Sequence, residues 1–385
     1  MTERLTPADE EALLGRPVRP LLTDADRDMF AGERCLVTGA GGSIGSELAR
    51  QLASCRPALL TLVDHSEPHL FQIERDLAER WPDVRLDPVL ADVTRPVMMR
   101  VACERARPHV VFHAAAYKHV TMAERAICAA AHVNVLGTAA VAAAARDGGA
   151  RFLLISSDKA ASPRSVMGAT KRLAELVTAR AAQSDFRPAV VRFGNVLASS
   201  GSFVTIMQDH IRRGKPLPVT DLDATRYFMT VAEAAALVLK ADTLARAGDT
   251  FWLDMGEPVR IGSLVNRLLA LAARQGFPAV PIEIVGLRPG EKRSEQLTTQ
   301  GLEMRKTAHP RIWMARQVRV RRKALDAAVR ALARHVTRGD AWETLNVLAA
   351  IVPDYEPSAE AWTVARSECL YRQIPAAARA DRLSA

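Results

Sequence analysis

Residues 35–45, Cys35-Leu36-Val37-Thr38-Gly39-Ala40-Gly41-Gly42-Ser43-Ile44-Gly45, run from an apolar stretch through a glycine-rich turn into a helix-forming segment. Glycines at 39, 42 and 45 permit a tight turn, close approach of the backbone to a pyrophosphate, and contact between helix and strand. The turn sits between a predicted strand and a predicted helix, which a chance glycine cluster does not require. A second apolar run ends at Asp64, 19 residues beyond Gly45. A carboxylate at that point accepts hydrogen bonds from ribose hydroxyls and repels a 2′-phosphate, so the pattern favours NAD over NADP, and His65 only softens that preference.

Outward from this turn, four more apolar runs follow at residues 85–90, 109–114, 151–157 and 189–194, with helix-like segments between them. Continuous rather than alternating apolar character marks strands covered on both faces. Strand and helix in repeated alternation predict an α/β fold with a doubly wound parallel sheet of Rossmann type. Thr38, Gly39, Gly41, Gly42, Ser43, Ile44 and Gly45 are then expected around the cofactor phosphates, Asp64 and His65 at the ribose, Asp92 and Val93 at the adenine. Ala114, Ala115 and Ala116 would let backbone lie against the cofactor.

The chain has 385 residues, 49% of them hydrophobic, and 52 Lys+Arg against 43 Asp+Glu. That length suits a Rossmann domain over residues 31–193 and a smaller, mainly substrate-binding lobe over 194–317 interleaved with the sheet. A linker at 1–30 precedes them, and helices rich in Ala and Arg follow from 318 to 385, ending in a polar tail after Pro353. The net charge of +9 is modest, and no aromatic residues interleave with the basic run Arg316–Lys323, so a solvated helix face is expected there rather than a nucleic-acid site. No run of 18 apolar residues occurs, the start carries acids where a signal peptide needs a basic region, and the five cysteines are scattered. A cytoplasmic protein without integral membrane association is the expectation. The histidines lack a spaced third ligand, so no metal is expected.

The motifs beyond the glycine turn are His113 through Val120, Ile155-Ser156-Ser157-Asp158-Lys159-Ala160, Val166 through Arg172, Arg192 through Leu197, Ser199 through Ser202, Thr225 through Thr230, and Leu287 through Lys292. Together they resemble the bacterial UDP-N-acetylglucosamine 4,6-dehydratases of the extended short-chain dehydrogenase/reductase superfamily, a polysaccharide biosynthesis family, over residues 12 to 315. The usual Tyr of the superfamily's YxxxK is Met167 here, paired with Lys171; a thioether carries no titrating proton and cannot act as the base. The resemblance is to the branch with Met at this position, which retains configuration at carbon 5 and uses an adjacent Asp-Lys pair.

The resemblance thus implies Asp158 as the acid that protonates the leaving hydroxyl on carbon 6. Lys159 would be the base at carbon 5, partly neutral through desolvation and cationic neighbours such as Lys171. Ser157, where the family usually has Thr, would hydrogen-bond the carbon 4 hydroxyl, and Lys171 would hold the nicotinamide ribose. Tyr117, Lys118, His119, Asn195, Ser202, Arg226, Arg288, Glu291 and Lys292 are the expected contacts to UDP-N-acetylglucosamine, with Arg288 leading at the diphosphate. Many members carry membrane helices before this region; the opening Leu13-Leu14-Gly15-Arg16-Pro17 resembles their linker, implying a stand-alone catalytic unit. A homo-oligomer joined through helices of the first domain is also implied.

Departures from the family occur at Ala198, where Gly is common, after His119, and at Arg293-Ser294-Glu295-Gln296. They bear on sugar preference and subunit contacts. Competing readings are a dehydratase that inverts carbon 5, a UDP-sugar 4-epimerase, which needs no acid and base for carbons 5 and 6, and a non-catalytic NAD-binding interaction protein.

Overall fold

The computed structural model describes residues 5–18, 22–246, 248–295, 303–316 and 321–373. All six predicted strands form: β1 (Arg34–Thr38), β2 (Leu59–Asp64), β3 (Leu86–Leu90), β4 (Val110–His113), β5 (Arg151–Ile155) and β6 (Ala189–Arg192). A seventh parallel strand, β7 (Asp249–Leu253), comes from the second lobe and pairs with β6. Two further strands, β8 (Arg305–Lys306) and β9 (Ile312–Arg316), close that edge antiparallel, giving the order β8-β9-β7-β6-β5-β4-β1-β2-β3. The order reverses between β1 and β4, which leaves a crevice at the carboxyl ends of the strands, where ligands of such sheets bind.

Residue-by-residue alternation along the buried strands feeds two separate cores. Val37, Leu60, Leu62 and Phe112 pack against helices Ser43–Ser54, Glu67–Arg80 and Val231–Leu244 on one face. Leu36, Val63, Val111 and Leu154 pack against Pro96–Ala106 and the helical run Ile127–Asp147 on the other. β3, at one sheet edge, keeps partial exposure, and it carries Pro88, which an edge strand tolerates. Ile127–Asp147 is long and apolar enough to cross a membrane by length and composition, but most of it is buried in this core. Its middle, His132–Gly137, is a π-helical turn.

A third core belongs to the second lobe, where Val204, Met207 and Ile211 meet Leu264, Val265 and Leu268. Leu13 and Leu14 of the short helix Pro7–Leu14 join it, so this helix docks on the second lobe. Arg16 fastens the segment through a two-pronged ion pair to buried Glu233, at 2.9 and 3.0 Å.

The carboxyl-terminal residues form three helices, Arg322–Thr337, Ala341–Ile351 and Ala359–Gln373. The last lies where a polar tail was expected. Leu325, Leu332, Leu345, Leu348 and Ala361 make a fourth core with Ile127, Val135, Val166, Met167 and Leu173. The carboxyl-terminal helices therefore cover one face of the first-domain helices Ile127–Ala131 and Val166–Ala181. Of the basic run Arg316–Lys323, residues 317–320 lie outside the described residues, while Arg321, Arg322 and Lys323 are exposed.

Candidate active site

The crevice at the strand-order reversal is an open cleft with about 740 Å³ of free space. Gly39 and Gly42 line it from the end of β1, Asp64 and His65 from β2, Asp92 and Val93 from β3, and Ala114, Ala115, Ala116 and Tyr117 from β4. Helix Ser43–Ser54 begins at Gly42 with no side chain capping its first amides, so those N–H groups face the cleft mouth with their positive end free for an anion. Gly39 adopts φ +66°, and a Cβ there would lie 2.7 Å from the Ala115 amide nitrogen. A Cβ on Gly45 would overlap the Gly39 carbonyl, which is why both positions need glycine.

Asp64 does double work. Its Oδ2 accepts from the Gly41 amide at 2.9 Å and its Oδ1 from the Ser66 amide at 2.9 Å, bracing the glycine turn while the carboxylate faces the cleft. Asp92 Oδ1 similarly accepts from the Thr94 amide at 2.8 Å. Thr38 departs from expectation: it is fully buried, and its hydroxyl meets His113 Nδ1 at 2.7 Å instead of the cleft. His113 reaches Thr138 Oγ1 on its other side at 3.1 Å, and burial, reinforced by Lys171, pushes its pKa down to about 3, so it is neutral. These residues fit a dinucleotide: a bare helix amino terminus, a backbone cradle that side chains would fill, and a carboxylate at the ribose position.

At the carboxyl end of β5 a short 3₁₀ turn, Asp158–Ala160, presents the predicted pair. Ser157 Oγ donates to Asp158 Oδ1 at 2.9 Å, and Lys159 Nζ donates to the same oxygen at 3.1 Å. Lys159 also donates to Asn195 Oδ1 at 3.1 Å and pairs with Glu295 Oε1 at 3.3 Å. Burial disfavours its charge, but the Asp158 and Glu295 carboxylates outweigh that and hold the ammonium above the ordinary lysine range. The expected partly neutral Lys159 is thus reversed: two acids, rather than cations, are its nearest ionic neighbours. Lys171 is the lysine that burial depresses, to about 8, opposed by Glu175; its Nζ donates to the Ile155 carbonyl at 2.6 Å beneath the site. Met167 is buried and packs in the core shared with the carboxyl-terminal helices.

The expected substrate contacts divide. Tyr117 is exposed on the cleft wall, and Asn195 joins Lys159. Burial lowers the pKa of Lys118, and burial together with Lys118 lowers that of His119. Arg288 is exposed, while Glu291 Oε2 accepts from its backbone amide at 3.2 Å, which makes Glu291 a turn residue. Ser202 caps helix Phe203–Arg212 by position, its hydroxyl 3.4 Å from Thr205 Oγ1. Arg226 is spent on backbone: its guanidinium donates to the carbonyls of Thr225, Lys292 and Arg293 at 2.8, 2.6 and 3.0 Å, clamping the loop that carries Lys292 and Glu295.

Three buried residues escaped the sequence reading. Glu295 is one; it was read only as part of the departure Arg293-Ser294-Glu295-Gln296, with no role of its own. Asn134, in the π-helical turn, accepts from the Tyr117 amide at 2.8 Å and donates to Thr170 Oγ1 at 3.0 Å, tying the cleft wall to the Lys171 helix Val166–Ala181. Glu175 gathers Arg192, Arg172 and Ser156 directly behind the Asp158-Lys159 turn. Ala198 stands at φ +53°, the left-handed region, which accounts for Gly being common there.

The polysaccharide biosynthesis protein family model matches residues 35–317. The chain is 41% identical over 298 residues to the capsular polysaccharide biosynthesis protein CapD of Staphylococcus aureus, covering 76% of this chain and 49% of CapD. The chain spans about half the length of the curated relatives it matches. Among solved structures, Pen from Bacillus thuringiensis superposes with a TM-score of 0.70 at 27% identity, covering 76% of this chain and 92% of Pen. The fold alone is shared with DesIV, a dTDP-glucose 4,6-dehydratase from Streptomyces venezuelae solved with NAD, at a TM-score of 0.60, 21% identity, and coverage of 69% of this chain and 88% of DesIV. The sheet, the glycine turn at the strand-order reversal and the residues matched agree, and the chain belongs to the polysaccharide biosynthesis protein family.

Proposed function

We propose that this protein is an NAD-dependent nucleotide-sugar lyase that removes water from UDP-N-acetylglucosamine. The product is the 4-keto-6-deoxy sugar with carbon 5 configuration kept, a precursor for surface polysaccharide or glycoprotein. The observation that carries the reading is the Ser157-Asp158-Lys159 cluster at the carboxyl end of β5, with Asp158 buried, close to a cleft that fits a dinucleotide. An epimerase has no use for an acid and a base at carbons 5 and 6.

When bound, NAD supplies the hydride acceptor and donor, so the reaction consumes no reductant. Ser157, hydrogen-bonded to Asp158, offers the carbon 4 hydroxyl a path for its proton to Asp158. Asp158 then holds the proton that the carbon 6 hydroxyl needs to leave as water. Lys159 takes the proton from carbon 5, made acidic by the adjacent ketone, and returns it to the same face. Lys171 and Asn134 fix the floor and wall of the site.

Purified protein incubated with UDP-N-acetylglucosamine and no added reductant tests this by mass spectrometry and NMR. Loss of one water, a ketone at carbon 4 and a methyl at carbon 6 are expected, with couplings at carbon 5 of the retained isomer. A product isomeric with the substrate, or none with NAD bound, would overturn the assignment.

A further inference from the structure

A base at carbon 5 must be neutral before it can accept a proton, and Lys159 is held as an ammonium. Its surroundings also contain what would relieve it. Glu295 is nearly buried, with Oε1 3.3 Å from Lys159 Nζ. Its Oε2 has no hydrogen-bond partner among the described residues and lies 3.7 Å from Lys292 Nζ, itself without one. Asp158 Oδ2 is likewise buried without a partner. One carboxylate oxygen without a partner and a second held only by a long ion pair, both around one lysine, mark a site that is completed by a ligand or by proton movement rather than a closed structural ion pair.

Glu295 is delivered there by construction. Arg226 clamps the carbonyls of Lys292 and Arg293, the Thr225 amide donates to the Arg293 carbonyl at 2.9 Å, and Thr225 Oγ1 donates to Ser294 Oγ at 3.0 Å. The second lobe thereby places a carboxylate against the base of the first.

Building on the proposed dehydration, we infer that Glu295 is the proton acceptor that converts Lys159 to its neutral form, a positioning residue acting through Lys159. The proton moves from Lys159 Nζ to Glu295, leaving an amine beside a carboxylic acid. The amine takes the carbon 5 proton and becomes an ammonium again. Asp158 cannot fill this role, because its proton comes from the carbon 4 hydroxyl and goes to the carbon 6 hydroxyl. After Lys159 returns its proton to carbon 5, Glu295 gives its own back, and every group ends in its starting state. Burial favours the protonated form of Glu295, and in the resting site Lys159 first, then Lys292 beside Oε2, outweigh it and keep the carboxylate ionised.

Wild type, Glu295→Gln and Glu295→Asp full-length proteins are compared for dehydration of UDP-N-acetylglucosamine from pH 6.5 to 9.5, with circular dichroism confirming their fold. In Glu295→Gln, kcat at pH 7 is expected to fall by about 100-fold or more while KM stays within about threefold. Relative to wild type at the same pH, the lost rate should return as pH rises, since solvent then takes the proton from Lys159, and Glu295→Asp should restore part of it. A kcat within about threefold of wild type overturns the inference. So does a loss that is flat across pH and not rescued by Asp, which is what a purely structural ion pair produces. Amine labelling of Lys159, followed by peptide mass spectrometry, reads the pairing without turnover: labelling at pH 8 should be faster in Glu295→Gln. Equal labelling rates overturn the pairing itself. Faster labelling with a wild type that dehydrates no UDP-sugar overturns the parent reading and leaves Glu295 no reaction to serve.

Discussion

Glu175→Gln should be among the most damaging isosteric changes in this protein. Glu175 is fully buried and meets two buried guanidinium groups: Arg192 by paired bonds of 2.6 and 2.5 Å, and Arg172 at 3.0 Å. It also accepts from Ser156 Oγ at 2.6 Å. Burial raises its pKa, but the two arginines outweigh that and keep it ionised. An amide keeps the volume and loses the charge, stranding two buried cations. Removing one partner of a buried pair costs about 3–5 kcal/mol. Against a total of about 5–15 kcal/mol that is a large fraction, and at roughly 2–4 °C per kcal/mol the melting temperature should drop by on the order of 10 °C. Calorimetry and urea unfolding at neutral pH would measure it. A second readout comes from Lys171, whose depressed pKa of about 8 is partly supported by Glu175; in Glu175→Gln it should fall further. A loss under about 1 kcal/mol with Lys171 unmoved would refute the described network.

Further outcomes follow from four single features of the structure. Activity should decline as pH rises through about 8, where Lys171 gives up its proton, and Lys171→Arg should flatten that limb of the kcat/KM profile. Because this pKa lies below its unfolded value, the unfolded chain binds the proton between about 8 and 10.5, so the Lys171 contribution to stability rises with pH across that window; urea unfolding at two pH values checks the sign. Gly45→Ala drives a methyl into the Gly39 carbonyl and should weaken NAD binding by about 100-fold or more in calorimetric titration, a displaced backbone being costly to re-aim. Ala198→Gly relieves a left-handed alanine and should raise stability by about 0.5–1 kcal/mol in thermal unfolding. Ser358→Ala removes a hydroxyl that donates to buried Glu124 at 2.6 Å and accepts from the Ala361 amide at 3.0 Å; a loss of about 1–3 kcal/mol, with faster amide exchange in helix Ala359–Gln373, is expected.

Local chemistry was legible without coordinates wherever a motif is contiguous. The glycine turn, Asp64, and Ser157-Asp158-Lys159 are each set by neighbours in the chain, because a strand end, a tight turn and a helix start impose backbone demands that only certain residues meet. The six parallel strands were legible for the same reason, each being an apolar run, and all but the edge strand β3 are buried on both faces. β7 was missed because Asp249–Leu253 sits among the irregular segments of the second lobe, and only sheet pairing with β6 identifies it.

What depends on distant parts of the chain meeting was not legible. Arg226 looked like a phosphate ligand until the fold brought the carbonyls of Lys292 and Arg293 to its guanidinium. Lys159 looked like a neutral base until Glu295, 136 positions away, arrived beside it. Its charge state is a sum over burial and neighbouring carboxylates, and a linear pattern carries neither. The sequence by itself determined the six parallel strands of the sheet, the glycine turn and the contiguous Ser157-Asp158-Lys159 motif. The tertiary structure alone decided which helix faces the carboxyl-terminal residues cover and which lysine is charged, since those rest on packing and electrostatics that act through space rather than along the chain.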